Sequence, residues 1–153
     1  MSTPTERLAE LGITLPPVAT PAGSYVPARR SGSLVFTSGQ VPIVDGKVAA
    51  TGKVGDTVAT EDAAGLARIC ALNALAAIDG LVGLDAVAGV VKVVGFVASA
   101  AGFTEQPRVV NGASDVLAEI FGDAGRHARS AVGVAELPLG VPVEVELIVE
   151  VRE

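Results

Sequence analysis

From Val143 to Arg152 the chain alternates cleanly. Val143, Val145, Leu147, Val149 and Val151 fall on one side, and Glu144, Glu146, Ile148, Glu150 and Arg152 on the other. A strand sends successive side chains to opposite faces of a sheet, so this period of two requires a strand with one face in an apolar core. The opposite face is acidic. Acidic groups are costly to bury alone, so that face meets water or lines a polar interface. The rest of the chain must therefore supply neighbouring strands and a helical cover for one side only.

The upstream residues supply both. Tyr25 to Gln40 reads as strand, turn, strand about Ser31-Gly32-Ser33, and Asp45-Gly46 is a turn pair between two short apolar runs. Thr60 offers an N-cap oxygen and Glu61 and Asp62 put negative charge in the first turn, which predicts a helix to Asp79 stopped by Gly80. Its inward stripe is Leu66, Ile69, Cys70, Asn73 and Ala77. Pro107 and Gly122 bracket a second helix with Val110, Leu117 and Phe121 on its apolar side. Between the helices, Val90 to Val97 is apolar throughout and reads as a strand buried on both faces. The wider stretch Leu81 to Phe103 has the length of a membrane span, but Asp85, Lys92 and its glycines argue for the buried strand instead. Two further strands, Ser130 to Glu136 and Val143 to Arg152, are expected as an antiparallel hairpin joined through Leu137-Pro138-Leu139-Gly140. This order predicts an α+β fold: a mixed sheet with two helices on one face. Residues 1–22, with Pro16, Pro17 and Pro21 after a short helical piece, read as an N-terminal arm, and residues 23–153 as a single domain.

Half of the 153 residues are apolar but only 3% are aromatic, so Val, Leu, Ile and Ala must fill the core. The net charge of -6 argues against a phosphate-binding surface, because nonspecific nucleic-acid affinity comes from Lys and Arg releasing counterions. No nucleic-acid or membrane partner is expected. One cysteine, Cys70, and one histidine, His127, make neither an internal disulfide nor a metal cluster, so neither metal nor cofactor is expected. A lone thiol fits a reducing compartment, and Met1 to Gly12 carries Glu6, Arg7 and Glu10 without an apolar leader, so a cytoplasmic protein is expected.

Chemistry can reside in few places. Arg126, His127 and Arg129 precede the Ser130 strand, and the expected hairpin would bring Glu144 and Glu146 opposite them. Arg129 admits two readings: a structural Arg–Glu pair, or a clamp whose parallel N–H donors grip a small organic acid. His127 reads as a loop or capping residue rather than a catalyst. Tyr25, the Ser38-Gly39-Gln40 turn and Asn111 are further candidates, and Cys70 reads as a small buried hydrophobe.

Three stretches carry a family resemblance: YVPARRSGSLVFTSGQVP (25–42), VVKVVGFVAS (90–99) and ARSAVGVAELPLGVPVEVEL (128–147). Over residues 23 to 152 the chain resembles the Rid family, also called YjgF or L-PSP-like proteins. The resemblance implies a chorismate-mutase-like homotrimer with clefts between neighbouring subunits, and hydrolysis of reactive 2-imino acids to 2-keto acids and ammonia. Carried over residue by residue, it implies that Arg129 binds the substrate carboxylate and Glu144 orients or activates water. Tyr25, Ser38, Gly39, Asn111 and the backbone N–H of Ala131 would complete the cleft. Position 131 is Ala where better-known deaminases often have Cys. The arm and the longer Ser99 to Pro107 connection resemble a separate subgroup less securely tied to imine hydrolysis. A non-catalytic trimeric binder of small carboxylates is the alternative, and ribonuclease activity a distant third.

Overall fold

The computed structural model describes all 153 residues. Helix α1 (Pro4–Glu10) opens with a reciprocal cap, in which Thr3 Oγ1 accepts from the Glu6 N–H at 3.2 Å and the Thr3 N–H donates to Glu6 Oε2 at 2.9 Å. The arm is tied down: Leu8 is buried in the core, Ile13 and Leu15 lie against it, and Arg7 Nε donates to the Glu119 carbonyl.

Five strands form the main sheet: β1 (Ala28–Ser31), β2 (Leu34–Thr37), β5 (Val87–Ala98), β6 (Ala128–Val134) and β7 (Val143–Val151), in the order β1-β2-β7-β5-β6. A separate small hairpin, β3 (Ile43–Val44) with β4 (Lys47–Val48), turns at Asp45-Gly46, both in left-handed backbone as the sequence predicts. The long helices α2 (Thr60–Val82) and α3 (Gln106–Phe121) cover one face of the main sheet. The expected mixed sheet is present, since β5 and β6 run parallel while the other pairs are antiparallel.

The expected hairpin between β6 and β7 is not. Strand β5 lies between them, pairing β6 along one edge and β7 along the other. The reason is the crossover: β5, α3 and β6 form one strand–helix–strand unit, whose strands run parallel and adjacent. The Leu137 to Gly140 link then turns through a short 3-10 segment, with Leu139 left-handed, and carries the chain past the end of β5 to its far side.

Helix α2 runs three residues beyond its expected stop, through Gly80 to Val82. The reversal occurs at Gly83, in left-handed backbone, where Asp79 Oδ1 accepts the Leu84 N–H at 2.9 Å. Its N-cap is Ala59, so Thr60 is the first helical residue and provides no capping bond. The buried surface of α2 is also wider than one stripe and includes Ala63, Ala67, Ala71 and Ala74, because the helix touches both the sheet and α3. That double contact explains a helix long and apolar enough to cross a membrane. The core contains no aromatic side chain among its buried residues. Small side chains compensate through close approach: a Cβ on Gly112 of α3 would collide with the Ala64 carbonyl of α2.

No helix covers the other face of the sheet. There Phe36 is 41% exposed and Val132 43%, alongside the half-buried Glu144, Glu146 and Ile148.

Candidate active site

Arg129 sits on β6, an edge strand, opposite Val93 of β5, which in turn faces Leu147 of β7. Val93 and Leu147 are core residues, so Arg129 projects to the helical face. Helix α3 receives it. Nη1 donates to Asn111 Oδ1 at 2.7 Å and to Ser114 Oγ at 3.2 Å, and Nη2 donates to the Pro107 carbonyl at 3.3 Å. None of these acceptors is charged, and Arg129 joins none of the six ion pairs of the chain. The structural Arg–Glu pair allowed by the sequence is therefore absent. Three of the five guanidinium donors are used; Nε–H and one Nη2–H are left over. Asn111, which is exposed, spends only its oxygen on Arg129. Ala131 follows on the same face of β6, beside Gly95.

Glu144 lies opposite Phe96, on the open face of the sheet. Its carboxylate rests on Gly39, where a Cβ would collide with it, so glycine at 39 makes room for this side chain. Partial burial raises the Glu144 carboxyl above its ordinary value, and the charge of Glu146 adds to the rise. No cation is paired with either acid. Nearby, Tyr25, Gly39, Gln40 and Leu139 join Ala19 to Ala22 of the arm around a cavity of about 90 Å³. Tyr25 Oη accepts the Ala22 N–H at 3.1 Å, and the Ser38 hydroxyl donates to the Val26 carbonyl at 2.6 Å. Cys70 is fully buried, which pushes its thiol up and leaves it protonated, the inert hydrophobe expected.

The candidate residues thus fall into two groups. Arg129, Asn111 and Ala131 gather at the β6 edge on the helical face, while Glu144, Gly39, Ser38 and Tyr25 gather at the β2 and β7 ends, with Glu144 on the open face. One chain does not bring Arg129 to Glu144, because the hairpin expected to do so does not form. Ser114 was not among the candidates. Its spacing of three from Asn111 puts both on one face of α3, and that was the available signal.

A family model described as YjgF/chorismate mutase-like, putative endoribonuclease, matches residues 5–151. The chain belongs to this YjgF family. It is 45% identical over 148 residues to Protein TCP17 of Trypanosoma cruzi, an alignment spanning 95% of this chain and 92% of that protein. Among solved structures, a putative endoribonuclease from Shewanella oneidensis superposes with a TM-score of 0.94 at 34% identity, covering 98% of this chain and 100% of the other. E. coli TdcF with bound serine superposes at 0.64 and 29% identity, covering 89% and 94%. The α+β architecture is the chorismate-mutase-like YjgF fold.

Proposed function

We propose that the protein hydrolyses 2-imino acids to 2-keto acids and ammonia in a cleft shared by neighbouring copies of a homotrimer. The observation that carries this reading is Arg129: a guanidinium pinned by three neutral acceptors, with no acid beside it and two donors to spare. Such a group is built to receive an anion from outside the chain, and a carboxylate matches paired N–H donors. TdcF, a relative, holds serine, itself a small carboxylate.

An imine carbon is already electrophilic, so positioning and proton transfer suffice without a covalent nucleophile. Arg129 and the Asn111 amide hold the substrate carboxylate. Glu144 of the neighbouring copy takes a proton from water as the oxygen adds to C2, and returns it to the nitrogen. Glu144 then takes the hydroxyl proton and hands it to the departing nitrogen as the C–N bond breaks, so ammonia leaves and the C=O of the keto acid forms. Burial and the charge of Glu146 make the Glu144 carboxyl hold its proton more tightly than an ordinary carboxyl, which suits a group that both takes and gives a proton.

The test adds the purified protein to a pyridoxal-dependent serine or threonine dehydratase. The wild type should shorten the lifetime of the released imine, and Arg129→Ala should abolish the effect. An imine lifetime unchanged by the wild type would overturn the reading. The placement of Arg129 and Glu144 on opposite faces of one chain favours a second reading, a binder of small carboxylates without turnover. That reading expects saturable binding of a keto acid, lost in Arg129→Ala, with no imine consumed. Endoribonuclease activity, in the family description, has an acidic open face against it.

A further inference from the structure

We propose that His127 and Ser114 form a hydrogen-bonded relay that fixes the guanidinium of Arg129 in its carboxylate-receiving position. The proposal rests on the reading of Arg129 as the clamp. Arg129 is long, flexible and on an edge strand, so holding it in one rotamer costs side-chain entropy. An acceptor can offset that cost only if its own lone pairs are held still.

Ser114 alone does not meet that condition, because a hydroxyl rotates and both donates and accepts. His127 removes the freedom. Its Nδ1 stands 2.6 Å from the Gly125 carbonyl, an atom that only accepts, so in the neutral ring the proton sits on Nδ1 and Nε2 is bare. Nε2 lies 2.8 Å from Ser114 Oγ and accepts the hydrogen bond that the hydroxyl donates. The Ser114 lone pairs are then directed at Arg129 Nη1. Every donor points one way: Arg129 to Ser114, Ser114 to His127, His127 to Gly125. The chain ends on a rigid anchor, since Gly125 is buried and a Cβ there would collide with the Leu117 carbonyl. His127 and Arg129 reach the same side because they are two residues apart entering β6. His127 and Ser114 are positioning residues and touch no reacting atom.

Titration calorimetry of the full chain with pyruvate tests the relay. Ser114→Ala and His127→Ala should each weaken binding about five- to tenfold, the loss of one or so hydrogen bonds to a charged group. The double variant should be no weaker than the poorer single, because one chain is broken only once. Ser114→Thr, which keeps the hydroxyl, should bind within about twofold of wild type. In turnover the same loss should appear in KM, with kcat little changed. Alanine is well tolerated within a helix, so Ser114→Ala keeps the proposal falsifiable should His127→Ala fold poorly. Single variants that bind like wild type while Arg129→Ala does not would overturn the relay and leave the clamp intact. Wild-type binding by Arg129→Ala, or no binding by the wild type, would overturn the clamp and the relay with it.

Discussion

Arg129 uses its shape as well as its charge. It engages three acceptors of α3 and keeps two donors free, which an ammonium with three donors on one atom cannot reproduce. Arg129→Lys should therefore lower kcat/KM for a 2-imino acid at least tenfold, about 1.4 kcal/mol of transition-state stabilisation. Steady-state kinetics would show it, and full activity in the Lys variant would mean that a point charge suffices. Glu144 makes a prediction in pH. Its carboxyl is raised first by burial and second by Glu146, so its ionised form, the base, appears at higher pH than in an ordinary carboxyl. The acid limb of the kcat profile should sit correspondingly high. Glu146→Gln removes the repulsion, favours the ionised form and should move that limb to lower pH, though not fully back, because burial persists. A limb that stays still would assign the titration to another group. The sequence drew Arg129 and Glu144 together through a hairpin that does not form, so their separation onto opposite faces of the sheet was not legible in it. Asn111 was legible because an exposed polar group early in a helix stands out, whereas Ser114 reads as an ordinary helical serine until its partners are known.

The elements show what periodicity can and cannot say. The β7 alternation was readable in full, since one buried face imposes a period of two. The ends of α2 were less so. Gly80 reads as a stop, yet it is tolerated inside the helix and Gly83 makes the reversal. Helix contacts were hidden as well, because nothing in a run of alanines names the element that will lie against them. Two glycines separate these effects. Gly112 leaves no room for a Cβ against the α2 backbone, so Gly112→Ala should cost about 1–3 kcal/mol by forcing the helices apart, a fall of roughly 3–10 °C in Tm. Gly65 lies on α2 with open space where its Cβ would be, so Gly65→Ala should add about 0.5–1 kcal/mol through helix propensity. Thermal unfolding of both variants checks the pair. Equal shifts would show that close packing at the α2 and α3 crossing does not set the sign.

At the scale of the whole molecule, the sequence already requires one sheet face to be acidic and uncovered by helices, but nothing in one chain says what meets it. The fold sharpens that question: Arg129 points to the helical face at one edge of the sheet, Glu144 to the open face on the central strand. On the proposed reading, a site using both joins two copies. In the proposed homotrimer each cleft would take its guanidinium from one subunit and its carboxylate from the next, and this makes a prediction independent of fold stability. Arg129→Ala and Glu144→Gln should each be nearly inactive alone. Co-assembled in equal amounts, three in four trimers are mixed, and each mixed trimer holds one cleft with both groups intact, so about a quarter of the wild-type activity should return. Activity is measured on the co-expressed variants and on each separately. No recovery, in mixed trimers verified by mass, would mean that Arg129 and Glu144 act from the same chain or do not act together at all.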